Sequence, residues 1–329
     1  MTVALTTAIS SADAAAVEAA ARTLGAGGLV AFPTETVYGL GADATNARAV
    51  TLIYQAKGRP AFNPLISHVA DLDAARRIAR FDATALRLAQ AFWPGPLTLV
   101  LPKAADCAVA DLATAGLDTI AIRIPSHPVA RAILSAFGKP VVAPSANLSG
   151  HVSPTTAAHV KADLDGHIDL IVDGGPVEVG VESTIVGCFE TPMLLRPGGL
   201  PREEIERVLG RALTQAPPDA ESESGQPLAP GMLASHYAPR TQVRLNASNV
   251  APDEALLAFG APVAGAESAS SVMNLSAQGD LNEAAANLFG YLRALDAKAA
   301  RSIAVMPIPN HGLGEAINDR LRRAAVGRE

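Results

Sequence analysis

The feature that most constrains the fold is the alternation of short apolar runs with helix-like segments over some two thirds of the chain. Leu97–Leu101 and Thr119–Ile124 are the clearest strands, while Ala83–Trp93 and Val129–Phe137 have the apolar spacing of helices. Such alternation is typical of an α/β domain built on an open sheet. The pattern does not give the order of the strands in that sheet.

Two polar segments lie where strand-like runs stop. Pro33–Gly41 follows the apolar run Gly28–Phe32, and Pro144–Gly150 follows Val141–Ala143. Binding and catalytic residues of α/β proteins concentrate at such positions. Lys57–Pro60 adds two cations where a helical segment enters a proline-rich loop. Together, these three segments are expected to form the functional site.

Length and composition limit the class of protein. A chain of 329 residues predicts two domains, and a hydrophobic content of 49% supplies a large core. A net charge of −6 argues against a surface that coats nucleic acid, which needs a basic face. Cys107 and Cys188 are far apart in sequence, as expected in a reducing compartment. No basic leader and no apolar run of about 18 residues is present, so we expect a soluble cytoplasmic protein.

A change of composition near residue 214 predicts the domain boundaries. Thr214–Pro230 is rich in proline and acidic residues and has no large apolar run, which is typical of a linker. We therefore predict a catalytic domain at 1–213, a linker at 214–240, and a smaller α/β domain with parallel strands at 241–329. The end of the linker, 230–239, gains apolar and aromatic residues, and we predict that it acts as an active-site lid.

Several common catalytic motifs are missing from the sequence. There is no phosphate-binding G-x-x-x-x-G-K-[ST], no G-x-G-x-x-G after the first strand, no G-x-S-x-G and no H-E-x-x-H. The seven histidines lack metal-ligand spacing. Hydrolysis through a protein nucleophile and zinc chemistry are therefore disfavoured.

Individual polar residues leave alternatives open. In Thr119–Ile124, the two-residue period places Arg123 opposite the isoleucines, either as a surface cation or as an anion ligand. Lys57 and Arg59 suit a polyphosphate, but cations also complement a helix C-terminus. His68 lies inside an apolar strand, where a lone histidine is more often a satisfied core residue than a ligand.

Taken together, these segments resemble the YrdC-like family of threonylcarbamoyl-AMP synthases, in its longer form with an added C-terminal domain. The resemblance covers roughly residues 30 to 240, and the last ninety residues match only in their α/β character. It implies an open twisted mixed sheet of the YrdC-like type with a second, smaller Rossmann-like α/β domain. The matching segments are Phe32–Leu40, Lys57–Pro60, Asn63–Leu65, Trp93–Thr98, Arg123–Pro125, Ala143–Gly150, Ser183–Val186, Leu195–Gly198, Pro230–Met232 and His236–Pro239.

The resemblance implies a reaction and a set of site residues. L-Threonine, bicarbonate or carbon dioxide, and ATP with Mg²⁺ would give L-threonylcarbamoyladenylate and pyrophosphate, for the threonylcarbamoyladenosine modification of tRNA. No organic cofactor is implied, and the metal ligands stay unknown. The implied catalytic residues are Lys57, Arg59, Ser145 and Asn147. The implied L-threonine pocket comprises Thr36, His68, Arg123, Ala143 and Ser183. The implied ATP contacts are Arg59, Asn63, Thr119, Ser145, Ser153, Arg196 and Tyr237.

Two other functions fit the same fold. A transferase that forms carbamoyl-adenylate would carry zinc-finger and acylphosphatase-like segments, which two cysteines do not support. An RNA-binding module would need a basic face and aromatic residues, but the pI is near 5.7 and aromatic residues make up 4%. We expect no membrane association and no stable nucleic-acid binding. The expected partners are the substrates and the downstream tRNA threonylcarbamoyl-transfer machinery.

Overall fold

The computed structural model describes residues 6–215 and 237–326. In these ranges the chain forms two sheets, one of eleven strands and one of four. The strands of the large sheet are β1 (Ala8–Ser11), β2 (Val30–Pro33), β3 (Tyr38–Asp43), β4 (Ile66–His68), β5 (Leu97–Pro102), β6 (Thr119–Arg123), β7 (Val141–Val142), β8 (Leu170–Asp173), β9 (Thr184–Gly187), β10 (Met193–Arg196) and β11 (Thr214–Gln215). The strands of the small sheet are β12 (Gln242–Arg244), β13 (Ala255–Ala258), β14 (Ser271–Asn274) and β15 (Ser302–Val305).

The α-helices of the described residues pack beside these sheets. Those of the first domain are α1 (Ala14–Gly25), α2 (Ala47–Lys57), α3 (Leu72–Ile78), α4 (Ala83–Phe92), α5 (Pro128–Phe137), α6 (Ala157–Leu164) and α7 (Arg202–Leu209). Those of the second domain are α8 (Leu281–Asp296) and α9 (Leu313–Ala325).

The large sheet is mixed, with the order β1-β8-β2-β3-β7-β4-β6-β5-β9-β10-β11. Its centre pairs β7 with β4 in antiparallel and β4 with β6 in parallel orientation. In this register His68 lies beside both Arg123 and Val141. The sheet therefore brings three segments that are distant in sequence to one place. The mixed open sheet matches the predicted fold class.

The two faces of the large sheet differ in what covers them. Ile120 and Ile122 point into the main apolar core, while Ala121 packs in a smaller cluster on the opposite face. Arg123 shares the face of Ala121 because side chains alternate along a strand. The predicted alternation in this strand is confirmed, and it turns Arg123 away from the main core.

The small domain has a fully parallel sheet in the order β12-β15-β13-β14, as predicted. Its core is built largely from α8 and α9, and three residues of the first domain belong to the same apolar cluster: Val37, Val152 and Val181. The two domains therefore share one continuous apolar contact. No described helix has the length and apolar character that a membrane span requires.

The structure differs from the sequence prediction at some boundaries. β3 was not predicted, because its sequence, which contains Gly39, Gly41 and Asp43, lacks a strand pattern. Asp13, not Ser10 or Ser11, caps α1 through its side chain. Thr214–Gln215 pair with β10 and extend the large sheet into the segment predicted as linker. Residues 216–236 of that segment, and with them most of the predicted lid, lie outside the described residues.

Gly180 marks a close approach between the domains. Its backbone has φ +79°, and a Cβ atom there would lie 2.3 Å from the Ala285 carbonyl oxygen on α8. Such a contact forces the backbone of one domain to move away from the other. Gly210 has a similar φ of +70°, but a Cβ atom there would meet no other part of the chain within 4 Å.

We predict that Gly180→Ala destabilises the protein much more than Gly210→Ala. Both substitutions impose a left-handed backbone on alanine, at a cost of about 1–2 kcal/mol. Only Gly180→Ala adds a clash between domains, which should bring its total above about 3 kcal/mol. The midpoints of chemical denaturation measure the difference, and equal midpoints for the two variants would contradict the contact.

Candidate active site

Residues from both polar segments converge on one cavity at the end of β4 and β6. All five residues of the predicted threonine pocket and four of the predicted ATP contacts line it. The lining consists of Thr36, Val37, Arg59, Ile66, His68, Arg123, Ala143, Pro144, Ser145, Glu182, Ser183, Arg196 and Tyr237. The predicted residues that do not line it are Lys57, Asn63, Thr119, Asn147 and Ser153.

Lys57 lies behind the cavity, where it supports the second polar segment. Its Nζ atom donates hydrogen bonds to the carbonyl oxygens of Ser145, at 2.5 Å, and of Asn147. Its own carbonyl oxygen accepts from the Ser149 backbone N–H at 2.8 Å. Gly58, with φ +59°, ends α2 directly after it. Burial, followed by the charge of Arg59, holds the pKa of Lys57 well below its ordinary value.

Arg59 reaches the cavity from the loop that follows α2. Its Nη2 donates to the Pro64 carbonyl oxygen at 3.0 Å, and its Nε to that of Asn63 at 3.4 Å. Burial lowers the pKa of Arg59 to about 10, so the guanidinium stays charged at neutral pH. The Asn63 side chain is buried, and its Oδ1 has no hydrogen-bond partner among the described residues.

Arg123 is held at the cavity by a buried carboxylate that the sequence did not reveal as part of the site. Its Nη2 lies 2.8 Å from Glu35 Oε1, although the two groups are not aligned for a hydrogen bond. Its Nη1 donates to Thr36 Oγ1 at 2.9 Å. Burial would raise the pKa of Glu35, but the charge of Arg123 outweighs it and lowers that pKa. The guanidinium is thus fixed in place and keeps a face toward the cavity.

His68 is a neutral imidazole in this site. Its Nδ1 lies 3.2 Å from the Ile66 carbonyl oxygen, which can only accept, so Nδ1 carries the proton and Nε2 is an acceptor. Burial and the nearby charge of Arg123 lower the pKa of His68 to about 3. Because His68 lines the cavity, it offers an acceptor rather than a cation to a ligand.

Glu182 is a second buried carboxylate in the lining. It accepts a hydrogen bond from Ser153 Oγ, and Arg320 Nε donates to its Oε2 at 2.8 Å. Burial would raise the pKa of Glu182, but the charges of Arg320 and Arg196 lower it to about 2. Arg320 belongs to α9, in a part of the chain where the resemblance carries no motif. No signal in the single sequence identifies its role.

Three further lining residues are Ser183, directly before β9, Arg196 of β10, and Tyr237 near the end of the linker. Arg196 Nη2 donates to the Ser183 carbonyl oxygen at 2.8 Å, and Ser183 Oγ shares a hydrogen bond with Thr98 at 2.8 Å. Tyr237 is 1% exposed, and its ring stacks on Phe289 of α8, with centroids 5.6 Å apart. The predicted ATP contacts Arg196 and Tyr237 therefore meet beside the second domain.

Three predicted residues take other positions. Asn147 is fully buried, and its Nδ2 donates to the carbonyl oxygens of Leu148 and His151, so it shapes its own loop. Ser153 reaches the lining only through Glu182. Thr119 begins β6, on the face of Arg123 but four residues away, which is about 13 Å along a strand.

The cavity is small as it stands. Its free volume is about 50 Å³, whereas ligand sites commonly measure roughly 300–1,000 Å³. The buried Tyr237 side chain is part of its wall. A ligand as large as a nucleotide therefore requires some of these side chains to move.

The described residues do not fit a metal site held by the protein. None of them forms a group of three or more His, Cys, Asp or Glu side chains placed to hold an ion. Glu182 faces Arg320, and Glu35 faces Arg123. Mg²⁺ is often bound by one or two carboxylates with substrate phosphates and water.

The protonation state of the His68 imidazole can be measured directly. With a pKa of about 3, the imidazole stays neutral from pH 5 to pH 8 and gains its proton only below that window. We therefore expect its NMR signals to show no titration between pH 5 and 8. A His68 midpoint near the ordinary value of about 6.5 would contradict the buried, neutral state.

Comparison with known proteins identifies the family. Residues 22–198 match the Sua5, YciO and YrdC sequence family described as telomere recombination, and residues 200–326 match the threonylcarbamoyl-AMP synthase C-terminal domain. The threonylcarbamoyl-AMP synthases of Bacillus subtilis and Pyrococcus abyssi are 44% and 43% identical to the chain. Each alignment covers 91% of this chain, and 90% and 91% of the respective relative.

A solved structure extends the likeness to the arrangement of both domains. The crystal structure of Pyrococcus abyssi Sua5 complexed with L-threonine matches with a TM-score of 0.87 at 38% identity. The match covers 98% of this chain and 97% of that one. The chain belongs to the long-form, YrdC-like threonylcarbamoyl-AMP synthase family.

Proposed function

We propose that this protein is an L-threonylcarbamoyladenylate synthase that uses the cavity between Arg123 and Arg196. L-Threonine, bicarbonate or carbon dioxide, and ATP would be converted to L-threonylcarbamoyladenylate and pyrophosphate. The observation that carries the proposal is the convergence of nine predicted substrate contacts on one cavity with buried cations at both ends. Family membership and the likeness to a threonine-bound relative support the same reaction.

L-Threonine fits the Arg123 end of the cavity. The Arg123 guanidinium is suited to hold a carboxylate, and Glu35 and Thr36 keep it oriented. The acceptor nitrogen of His68 suits the amino group or hydroxyl of the amino acid. One methyl group separates threonine from serine, which limits discrimination in an apolar contact to about 1–3 kcal/mol.

The Arg59 and Arg196 end suits the phosphates of ATP. The amino group of threonine must first form a carbamate, and a carbamate oxygen then attacks the α-phosphorus while pyrophosphate leaves. Negative charge lies on phosphoryl oxygens during this transfer, so fixed cations and donors contribute most to the rate. Arg59 and Ser145 are placed to supply them, while Lys57 and Asn147 hold the Ser145 loop in shape. The reaction needs no protein nucleophile.

Tyr237 is the natural element to move when ATP binds. It lines the cavity, lies near the end of the segment 230–239 predicted as a lid, and its buried ring forms part of the cavity wall. We infer that its ring gives way to the nucleotide and then covers it, excluding water during adenylation.

Two further expectations concern the fate of the product and the compartment in which the reaction occurs. The tRNA threonylcarbamoyl-transfer machinery would consume the adenylate, and no nucleic acid needs to bind this chain itself. We place the reaction in the cytoplasm, where ATP and free thiols persist. The free thiols of Cys107 and Cys188 agree with this compartment.

Pyrophosphate release tests the function directly. We expect release only when ATP, L-threonine and bicarbonate are all present, because the carbamate must form before the α-phosphorus is attacked. Each substrate is omitted in turn, and carbamoyl phosphate replaces threonine and bicarbonate in a separate arm. Equal release with carbamoyl phosphate would contradict the synthase and favour the carbamoyl-adenylate-forming transferase.

The different positions of Lys57 and Arg59 predict different mutant phenotypes. Arg59→Met should lower turnover about 10²–10³-fold with little loss of stability, because it removes a charge at the cavity. Lys57→Met should lower both, since it also removes the Lys57 donor from the buried Asn147 carbonyl group, at about 1–3 kcal/mol, while the Ser145 carbonyl oxygen still accepts from the Asn147 backbone N–H.

The exposed Arg48 on the same helix provides the control, and Arg48→Met should leave turnover and thermal stability unchanged. Steady-state kinetics and thermal melts of the three variants make the comparison. Normal turnover in Arg59→Met would contradict a role of Arg59 in the reaction and leave it with a structural role only.

A further inference from the structure

Arg320 is a fully buried arginine of the second domain whose side chain contacts residues of the first domain. It lies on α9 with 0% exposure. Besides its bond to Glu182, its Nη1 donates to the Pro197 carbonyl oxygen at 2.9 Å and to Asp319 Oδ2 at 2.7 Å. Its guanidinium carbon lies 5.1 Å from the centroid of the Tyr237 ring. A single side chain thus contacts a carboxylate and an aromatic ring that both line the cavity.

The loop that carries Glu182 is fixed by the second domain on another side as well. Gly180 lies against the α8 backbone at Ala285, and Val181 belongs to the apolar cluster of the small domain. Pro197, which Arg320 also contacts, directly follows the cavity residue Arg196. The second domain therefore holds the backbone on both sides of the Arg196 end of the cavity.

The charge of Glu182 poses a problem for a nucleotide site. A carboxylate in the wall of a cavity repels phosphate groups, and this effect is strong where water is excluded. It would also compete with the ligand for the guanidinium of Arg196. Arg320 counteracts both effects, since it lies outside the cavity lining and its charged guanidinium is 2.8 Å from Glu182 Oε2.

We propose that Arg320 is a positioning residue for the nucleotide, through which the second domain completes the ATP end of the active site. It compensates the charge of Glu182, so that the cations lining the cavity stay available to bind the phosphates. Its guanidinium also packs against the ring of Tyr237 and holds that ring in position. The inference rests on the proposed function, because it assigns the Arg196 end of the cavity to ATP. At the other end Arg123 contacts Glu35 and Thr36, and among the described residues Arg320 has no hydrogen bond or ion pair with these three residues.

The experiment compares nucleotide and amino-acid binding in the same full-length variants. Isothermal titration calorimetry measures the affinity for α,β-methylene-ATP, which cannot release pyrophosphate, and for L-threonine. The variants are Arg320→Met, Arg320→Lys, and Arg320→Met combined with Glu182→Gln. Arg322→Met, an exposed position on the same helix, is the matched control.

We expect Arg320→Met to weaken α,β-methylene-ATP binding at least about tenfold, and L-threonine binding less than about threefold. Arg320→Lys, which keeps the charge, should lie between the wild type and Arg320→Met. Adding Glu182→Gln should restore nucleotide affinity to within about threefold of the wild type, because it removes the unpaired carboxylate. A purely structural role for Arg320 would give no such recovery.

Several outcomes overturn the inference. They are unchanged nucleotide affinity in Arg320→Met, equal losses for both ligands, or no recovery on adding Glu182→Gln. If Arg320→Met does not fold, the charge-retaining Arg320→Lys and the neutral double variant make the same comparison. Pyrophosphate release by the wild type is measured in parallel. Its absence would refute the synthase function, whereas wild-type release with insensitive variants would refute only the role of Arg320.

Discussion

The candidate site depends on one interaction, the hydrogen bonds from the Lys57 ammonium to the carbonyl groups of Ser145 and Asn147. These bonds join Lys57 to residues 88 and 90 positions later in the sequence. They fix the loop that presents Ser145 to the cavity. A buried ammonium needs such acceptors, because burial without them costs several kcal/mol. The short β7 and the left-handed turn at Gly58 bring the partners together.

The two ends of the cavity each have a buried carboxylate whose charge is compensated by an arginine. At one end Glu35 balances Arg123, and at the other Arg320 balances Glu182. Arg59 is bound to backbone carbonyl oxygens of its own loop, so its charge is retained for a ligand. This arrangement fits an amino-acid carboxylate at the compensated Arg123 and a polyphosphate where cationic charge remains. Because Arg320 comes from α9, the second domain takes part in the electrostatics of the site as well as in packing.

Much of the fold and part of the site could be predicted from the sequence, for identifiable reasons. Strong two-residue alternation in Thr119–Arg123 correctly gave the face of Arg123. Nine of the site residues implied by the resemblance line one cavity, and their roles stay predictions. β3 could not be predicted, because its stability comes from pairing with β2 and β7 rather than from its composition. Sequence spacing gave no sign that Lys57 lies behind the cavity, or that Arg320 reaches Glu182 from 138 residues away. Such contacts depend on tertiary structure, which the local pattern does not encode.

The identity of the product shows most clearly whether a threonine carbamate attacks ATP in this cavity. The protein is incubated with ATP, L-threonine and ¹³C-bicarbonate, and the adenylate is analysed by mass spectrometry immediately after quenching. We expect an adenylate that contains both threonine and one ¹³C atom, and that disappears when L-threonine is omitted. A labelled carbamoyl-adenylate without threonine, or AMP alone with no adenylate formed, would contradict this mechanism.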